Sequence, residues 1–110
     1  MKTQEEIIAD IENNLETLTP RTVSDYSVYL AVYLTRLSEE WAIAENTSNK
    51  RWKEIRETSD TDGQANKRLQ STNEYAIARS LELAISSLKE LIKTLKIRLR
   101  MLSDEANMRT

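Results

Sequence analysis

Apolar residues recur along this chain at intervals of three, four and seven residues, the spacing of amphipathic α-helices. The pattern predicts a short first helix over about residues 3–18, which Thr3 and Glu6 can start as a capping box. Pro20 ends it, because the residue before a proline is disfavoured in the helical conformation. A second, long helix is predicted over about residues 22–57. A bend or a frayed turn is expected at 46–49, where weak helix formers follow one another, and the alternative is that the helix continues through these residues.

A loop over residues 58–63 is predicted to reverse the chain, because it holds Gly63 and a run of residues that favour turns. A last long helix is predicted over about residues 64–107. Its apolar residues form a coiled-coil pattern over more than three heptads. The two series are Leu81, Leu88, Leu95 and Leu102, and, four residues after the first three, Ile85, Ile92 and Leu99.

Further apolar residues, Leu83, Ile97 and Met101, lie outside this seam, so one neighbouring helix cannot cover the whole apolar surface. We therefore expect a homo-oligomer held together by the seam, and the alternative is a hairpin or bundle within one chain. With one glycine and one proline in 110 residues, the sequence predicts a single all-α domain. Its expected form is a long helical hairpin with a short N-terminal helix and a coiled-coil-like C-terminal helix.

The composition removes many kinds of active site. Without cysteine or histidine there is no thiolate nucleophile, no imidazole base and no Cys/His zinc site. Asp60 and Asp62 resemble the start of a calcium loop, but Ser71 stands where such a loop needs an acidic ligand. We expect no enzyme activity, no cofactor and no metal. The chain also lacks the apolar run of a signal peptide or a membrane span, which favours a cytoplasmic location with no membrane partner.

A net charge of −2 conceals two basic segments. The first, here called the tip cluster, surrounds an aromatic residue on both sides of the predicted loop. It consists of Lys50, Arg51, Trp52, Lys53, Arg56, Lys67 and Arg68. Cations beside an aromatic ring that stacks on bases are typical of single-strand binding. The alternative is that Trp52 belongs to the core of the hairpin and the cations surround it.

The second segment, here called the basic stripe, lies in the predicted last helix. It consists of Lys89, Lys93, Lys96 and Arg100. Their spacing of i, i+4, i+7 and i+11 places them on one helix face, where they could follow a nucleic-acid backbone. The alternative is a solvated rim beside the seam, or a surface that pairs with the acidic first helix of a neighbouring subunit.

The order of these segments resembles that of UvsY-type phage recombination mediators, over about residues 25–109. In both, a long helix ends in a Lys/Arg-rich segment, a Gly/Asp loop follows, and a helical C-terminal region comes last. The resemblance implies single-stranded DNA binding, homo-oligomerisation and the loading of a recombinase. It also implies phosphate contacts by Lys50, Arg51, Lys53 and Arg56.

Two classes of function follow from the sequence. The first is an oligomeric protein that binds single-stranded nucleic acid in phage or bacterial DNA recombination or replication. The second is a protein-interaction module, such as an adaptor or a small inhibitor, that docks its helices on a host protein. The clustered cations favour the first class, and the mild overall acidity keeps the second open.

Overall fold

The computed structural model of the protein describes residues 2–108, and every regular element in that range is helical. The helices are α1 (Gln4–Asn14), α2 (Pro20–Glu57), α3 (Asp62–Gln70) and α4 (Asn73–Met108), with a short 3₁₀ turn at Leu15–Thr17 after α1. The predicted all-α fold class is confirmed. Arg109, at the end of the range that resembles the recombination mediators, lies outside the described residues, as do Met1 and Thr110.

The first two helices begin at threonine caps. The Thr3 hydroxyl accepts a hydrogen bond from the Glu6 backbone N–H at 3.2 Å, as predicted, while the Glu6 carboxylate accepts from the Thr3 hydroxyl rather than from its backbone. Helix α2 begins at Pro20, two residues earlier than expected. Thr19 accepts from the Thr22 backbone N–H, and Pro20 fits the first helical position because its missing N–H would have no partner there.

Helix α2 continues through residues 46–49, where a frayed turn was expected. Two of these weak helix formers are accommodated by their side chains. The Thr47 hydroxyl donates to the Ile43 carbonyl at 3.0 Å, one turn earlier, and Ser48 is small enough to be buried. Local competition for backbone hydrogen bonds is therefore overcome by packing.

The predicted helix over 64–107 is wrong as a single element, because it is interrupted at Ser71 and Thr72. The Ser71 backbone leaves the helical conformation, and the Thr72 hydroxyl accepts from the Tyr75 backbone N–H to start α4. The loop is also shorter than expected. Thr61 caps α3 by accepting from the Gln64 backbone N–H, so Gly63 lies inside a helix and needs no left-handed conformation.

The chain packs as two compact units. The terminal unit comprises residues 2–34 and 87–108, which carry α1, the first part of α2 and the last part of α4. Its core draws on all three helices and consists of Ile7, Ile11, Val23, Tyr26, Leu30, Leu88 and Leu95. Burial of this apolar surface is the main stabilising contribution to the unit.

Hydrogen bonds to the Asp10 carboxylate also join α1 to α2 in the terminal unit. The Asp10 carboxylate accepts a hydrogen bond from the Tyr26 hydroxyl at 2.5 Å and another from the Lys2 ammonium. The bond from Lys2, together with the one from Tyr26, holds the pKa of Asp10 below its ordinary value. Burial, followed by the bond to Asp10, raises the pKa of Tyr26.

The central unit comprises residues 35–86, which carry the rest of α2, α3 and the first part of α4. Its buried residues are mostly small, and they are Ser48, Ile55, Ala65 and Ala78. Because these side chains are small, the helices can approach closely. They also place less apolar volume in this core than the larger side chains of the terminal unit do. Both tryptophans lie here, and the Nε1–H of Trp41 is buried with no hydrogen-bond partner among the described residues.

The heptad seam of α4 is used within the chain. Leu88 and Leu95 are buried in the terminal unit of a single chain, where the sequence suggested an oligomer interface. The other members of the seam are half-buried: Leu81, Ile85, Ile92, Leu99 and Leu102. The two central leucines are consequently core residues. Most of the apolar surface that a second protein could cover lies outside the seam, at residues such as Ile43 and Ile77.

Candidate nucleic-acid interface

The basic stripe keeps the arrangement that its spacing predicts. All of its members, Lys89, Lys93, Lys96 and Arg100, are exposed on the part of α4 that belongs to the terminal unit. Within residues 2–108, none of these side chains forms an ion pair or hydrogen bond. At 1.5 Å per residue, the stripe extends over about 16 Å of helix.

The like charges of the stripe, one turn apart, have an energetic cost, which Glu90 near Lys93 and Asp104 near Arg100 offset only in part. Lys89 with Lys93, and Lys96 with Arg100, are like charges at i, i+4, and each such pair destabilises a helix by roughly 0.2–0.5 kcal/mol. The cation that reaches the N-terminal segment is a different one, Arg98. One of its guanidinium nitrogens donates to the Glu16 carbonyl at 3.1 Å. The stripe itself therefore remains available to an anion.

Two arginines of the tip cluster serve the turn between α2 and α3. Arg56 forms an ion pair with Asp62 at 2.6 Å and donates to the Ser59 carbonyl at 2.7 Å. Arg68 donates to the Thr58 hydroxyl at 2.9 Å and to the Ser59 hydroxyl at 2.8 Å. These contacts satisfy polar groups where α2 ends. Both guanidinium groups, expected to contact phosphates, are thus engaged within the chain.

Arg51 and Trp52 are also engaged. Arg51 forms an ion pair with Glu54 at 2.9 Å. Trp52 is half-buried, and its indole N–H donates to the Asn66 side-chain oxygen at 2.7 Å, which joins α2 to α3. Trp52 thus links two helices at the turn, although it is not one of the fully buried core residues that the alternative considered for it implied.

Three cations of the tip cluster remain exposed without a partner in the described part of the chain: Lys50, Lys53 and Lys67. Lys50 and Lys53 each have a glutamate four residues later, Glu54 and Glu57, on the same helix face. That face is balanced in charge. The tip cluster therefore does not form the continuous cationic surface that its sequence suggests, and the basic stripe is the stronger candidate.

The structure adds a surface that the sequence analysis missed. A groove of about 360 Å³ lies in the central unit between α2 and α4. Its lining is mostly apolar, and it consists of Glu40, Ile43, Ala44, Thr47, Glu74, Ile77 and Leu81. We call it the acidic-edged groove. Its only signal in the sequence is that Ile43 and Ile77 are large apolar residues outside the predicted core series.

Residues 2–108 contain neither a candidate membrane span nor a candidate metal cluster. None of the described helices has the length and apolar character needed to cross a membrane. In the same range, no group of three or more acidic, histidine or cysteine side chains is placed to hold a metal ion.

No protein-family model, curated protein or solved structure matches the sequence of this chain.

Proposed function

We propose that this chain is a non-enzymatic protein that binds the backbone of single-stranded nucleic acid through the basic stripe of α4. The observation that supports it most is the alignment of Lys89, Lys93, Lys96 and Arg100, which are all exposed and unpaired within the described residues. A polyanion placed along them would relieve their mutual repulsion and release its own counterions. Binding would then be electrostatic and would depend little on base sequence.

The resemblance to UvsY-type mediators supports a role in phage or bacterial DNA recombination or replication, in the cytoplasm and with a recombinase as a further partner. In this proposal the exposed lysines of the tip cluster, Lys50, Lys53 and Lys67, are secondary contacts, because Glu54 and Glu57 offset the charge of the first two. Trp52 is not a required contact in this proposal, because it is half-buried and its indole N–H joins α2 to α3.

The salt dependence of binding tests the proposal. Four phosphate contacts on a single strand correspond to a slope of about −2.8 in log K against log[salt], since each contact contributes roughly −0.7. Affinity for an oligonucleotide should therefore fall about 50-fold between 50 and 200 mM salt. Fluorescence anisotropy with labelled single- and double-stranded oligonucleotides measures both slopes and both affinities, so it also shows which form of nucleic acid the stripe prefers.

Charge reversal locates the contact. Lys93→Glu together with Lys96→Glu should make the slope shallower, at about −1.4 or closer to zero, because two contacts are lost. The same change should not melt the protein, since it replaces like-charge neighbours by opposite ones. Arg21→Glu with Arg36→Glu is the matched control, because it alters the net charge equally at exposed positions outside the stripe. Equal losses in both double variants, or no binding to any oligonucleotide at low salt, would refute the proposal.

A further inference from the structure

The acidic-edged groove leaves large apolar side chains in water. Ile43 and Ile77 line it with 70% and 55% of their surface exposed, one from α2 and one from α4. Ala44 and Leu81 continue the apolar surface between them. A hydrophobic groove between two helices is the kind of surface that receives the apolar face of a third helix. Covering it would remove this surface from water, which is favourable.

The charge at its edges restricts what can enter. Glu40 and Glu74 line the groove, and neither forms an ion pair within residues 2–108. Two copies of the groove facing each other would bring four carboxylates together, which is unfavourable. The groove therefore suits a helix that carries cations beside its apolar residues.

The chain itself carries such a helix face at the end of α4. Lys93, Ile97, Arg100 and Met101 follow one another at i, i+4, i+7 and i+8, the spacing of neighbours on one face. Ile97 and Met101 are 52% and 49% exposed, and both cations are exposed as well. We call this the Ile97 face. It offers two apolar side chains and two positive charges, with Glu90 and Asp104 at its two ends, to a groove that offers two apolar isoleucines and two negative charges.

We propose that the acidic-edged groove of one copy of this chain receives the Ile97 face of a second copy. Ile97 and Met101 would contact Ile43 and Ile77, while Lys93 and Arg100 would pair with Glu40 and Glu74. Each copy has one groove and one Ile97 face, so the contact is heterologous, and further copies can be added in the same way. Lys93 and Arg100 also belong to the basic stripe, so a copy whose Ile97 face is held in a groove cannot use these two cations for nucleic acid, and the association is therefore tested without nucleic acid.

Sedimentation velocity without nucleic acid tests this inference. The average mass of the wild-type chain should rise with protein concentration. Ile43→Asp with Ile77→Asp should weaken association roughly 100-fold, because it removes the apolar side chains that the contact buries and desolvates two carboxylates against Ile97 and Met101. Val28→Asp with Leu83→Asp is the matched control, since these residues are 61% and 55% exposed and lie outside both surfaces. A monomeric wild type, or equal weakening by the control, would overturn the inference.

A charge exchange identifies the paired surfaces. One variant carries Glu40→Lys and Glu74→Lys, and the other carries Lys93→Glu and Arg100→Glu. Each alone should be monomeric, because its groove and its Ile97 face then have like charges. Mixed in equal amounts, the two should associate again, since every contact between them joins opposite charges. Circular dichroism verifies that each variant is folded. If the mixture remains monomeric although the wild type associates, the Ile97 face is not the occupant.

Discussion

Replacing Leu95 with alanine tests whether the heptad seam of α4 is core within one chain. Leu95 has no exposed surface and lies among the core residues of the terminal unit. The substitution removes three carbon atoms, which is about 2.4 kcal/mol of transfer free energy at roughly 0.8 per methylene. A cavity adds to this, and buried Leu→Ala changes cost about 2.7–5 kcal/mol in total. We therefore expect a loss of about 3 kcal/mol.

Urea denaturation followed by circular dichroism measures this loss, at protein concentrations where the chain is monomeric. With a slope of about 1.5 kcal/mol per M, the midpoint should fall by about 2 M. Leu83→Ala is the control, because Leu83 lies on the same helix with more than half of its surface exposed. It should change the free energy of unfolding by no more than about 0.5 kcal/mol.

Equal effects of the two substitutions would refute this assignment of the core. Leu95 would then not be buried in the single chain, and the seam would be free to form an interface between subunits, as its sequence suggested. Both tryptophans lie in the central unit, so their fluorescence reports on residues 35–86 alone. A fall in the fluorescence midpoint of Leu95→Ala would show that the two units unfold together.

Two further predictions concern polar contacts. In urea denaturation, Trp52→Phe should lower the free energy of unfolding by about 1 kcal/mol more than Trp41→Phe does. Only Trp52 loses a hydrogen bond, whereas Trp41 loses a buried N–H that has no acceptor. Equal losses would contradict this. The pKa of Asp10 lies below its ordinary value of 3.8, so its contribution to stability is complete above that pH and is lost as the pH falls through the lowered pKa. Thermal denaturation between pH 7 and 2 should therefore show a smaller acid loss for Asp10→Asn than for the wild type, and identical acid profiles would contradict the role of this carboxylate.

Much of the fold was predictable, because a helix that buries one face needs apolar residues at a regular spacing along the sequence. Leu88 and Leu95 repeat every seven residues and are buried, and the same holds for Val23 and Leu30 on α2. The pattern could not say whether the partner helix belongs to the same chain. Knobs of one helix fit holes of another in either case, so periodicity alone does not distinguish a bundle from an oligomer.

The features that were missed depend on tertiary contacts or on weak local signals. Ser71 and Thr72 signal the interruption before α4, because both residues favour caps over helix interiors. The heptad pattern that follows them nevertheless favoured one continuous helix. Charge alone could not show that Arg56 and Arg68 stabilise a turn, because most of their partners are backbone and hydroxyl groups, and Asp62 reaches Arg56 only when the turn has formed. The acidic-edged groove likewise requires two helices to be side by side.

The division of the chain into two units has a consequence for the order in which they fold during synthesis. Residues 35–86 are contiguous, so the central unit has all of its core partners once α4 has begun to emerge from the ribosome. Ile7 and Leu30, however, belong to a core completed only by Leu95, near the other end of the chain. Contacts so distant in sequence form late, because a long loop must close first. Helix α1 is synthesised first, but its apolar face is thus covered only after the last part of α4 has been synthesised.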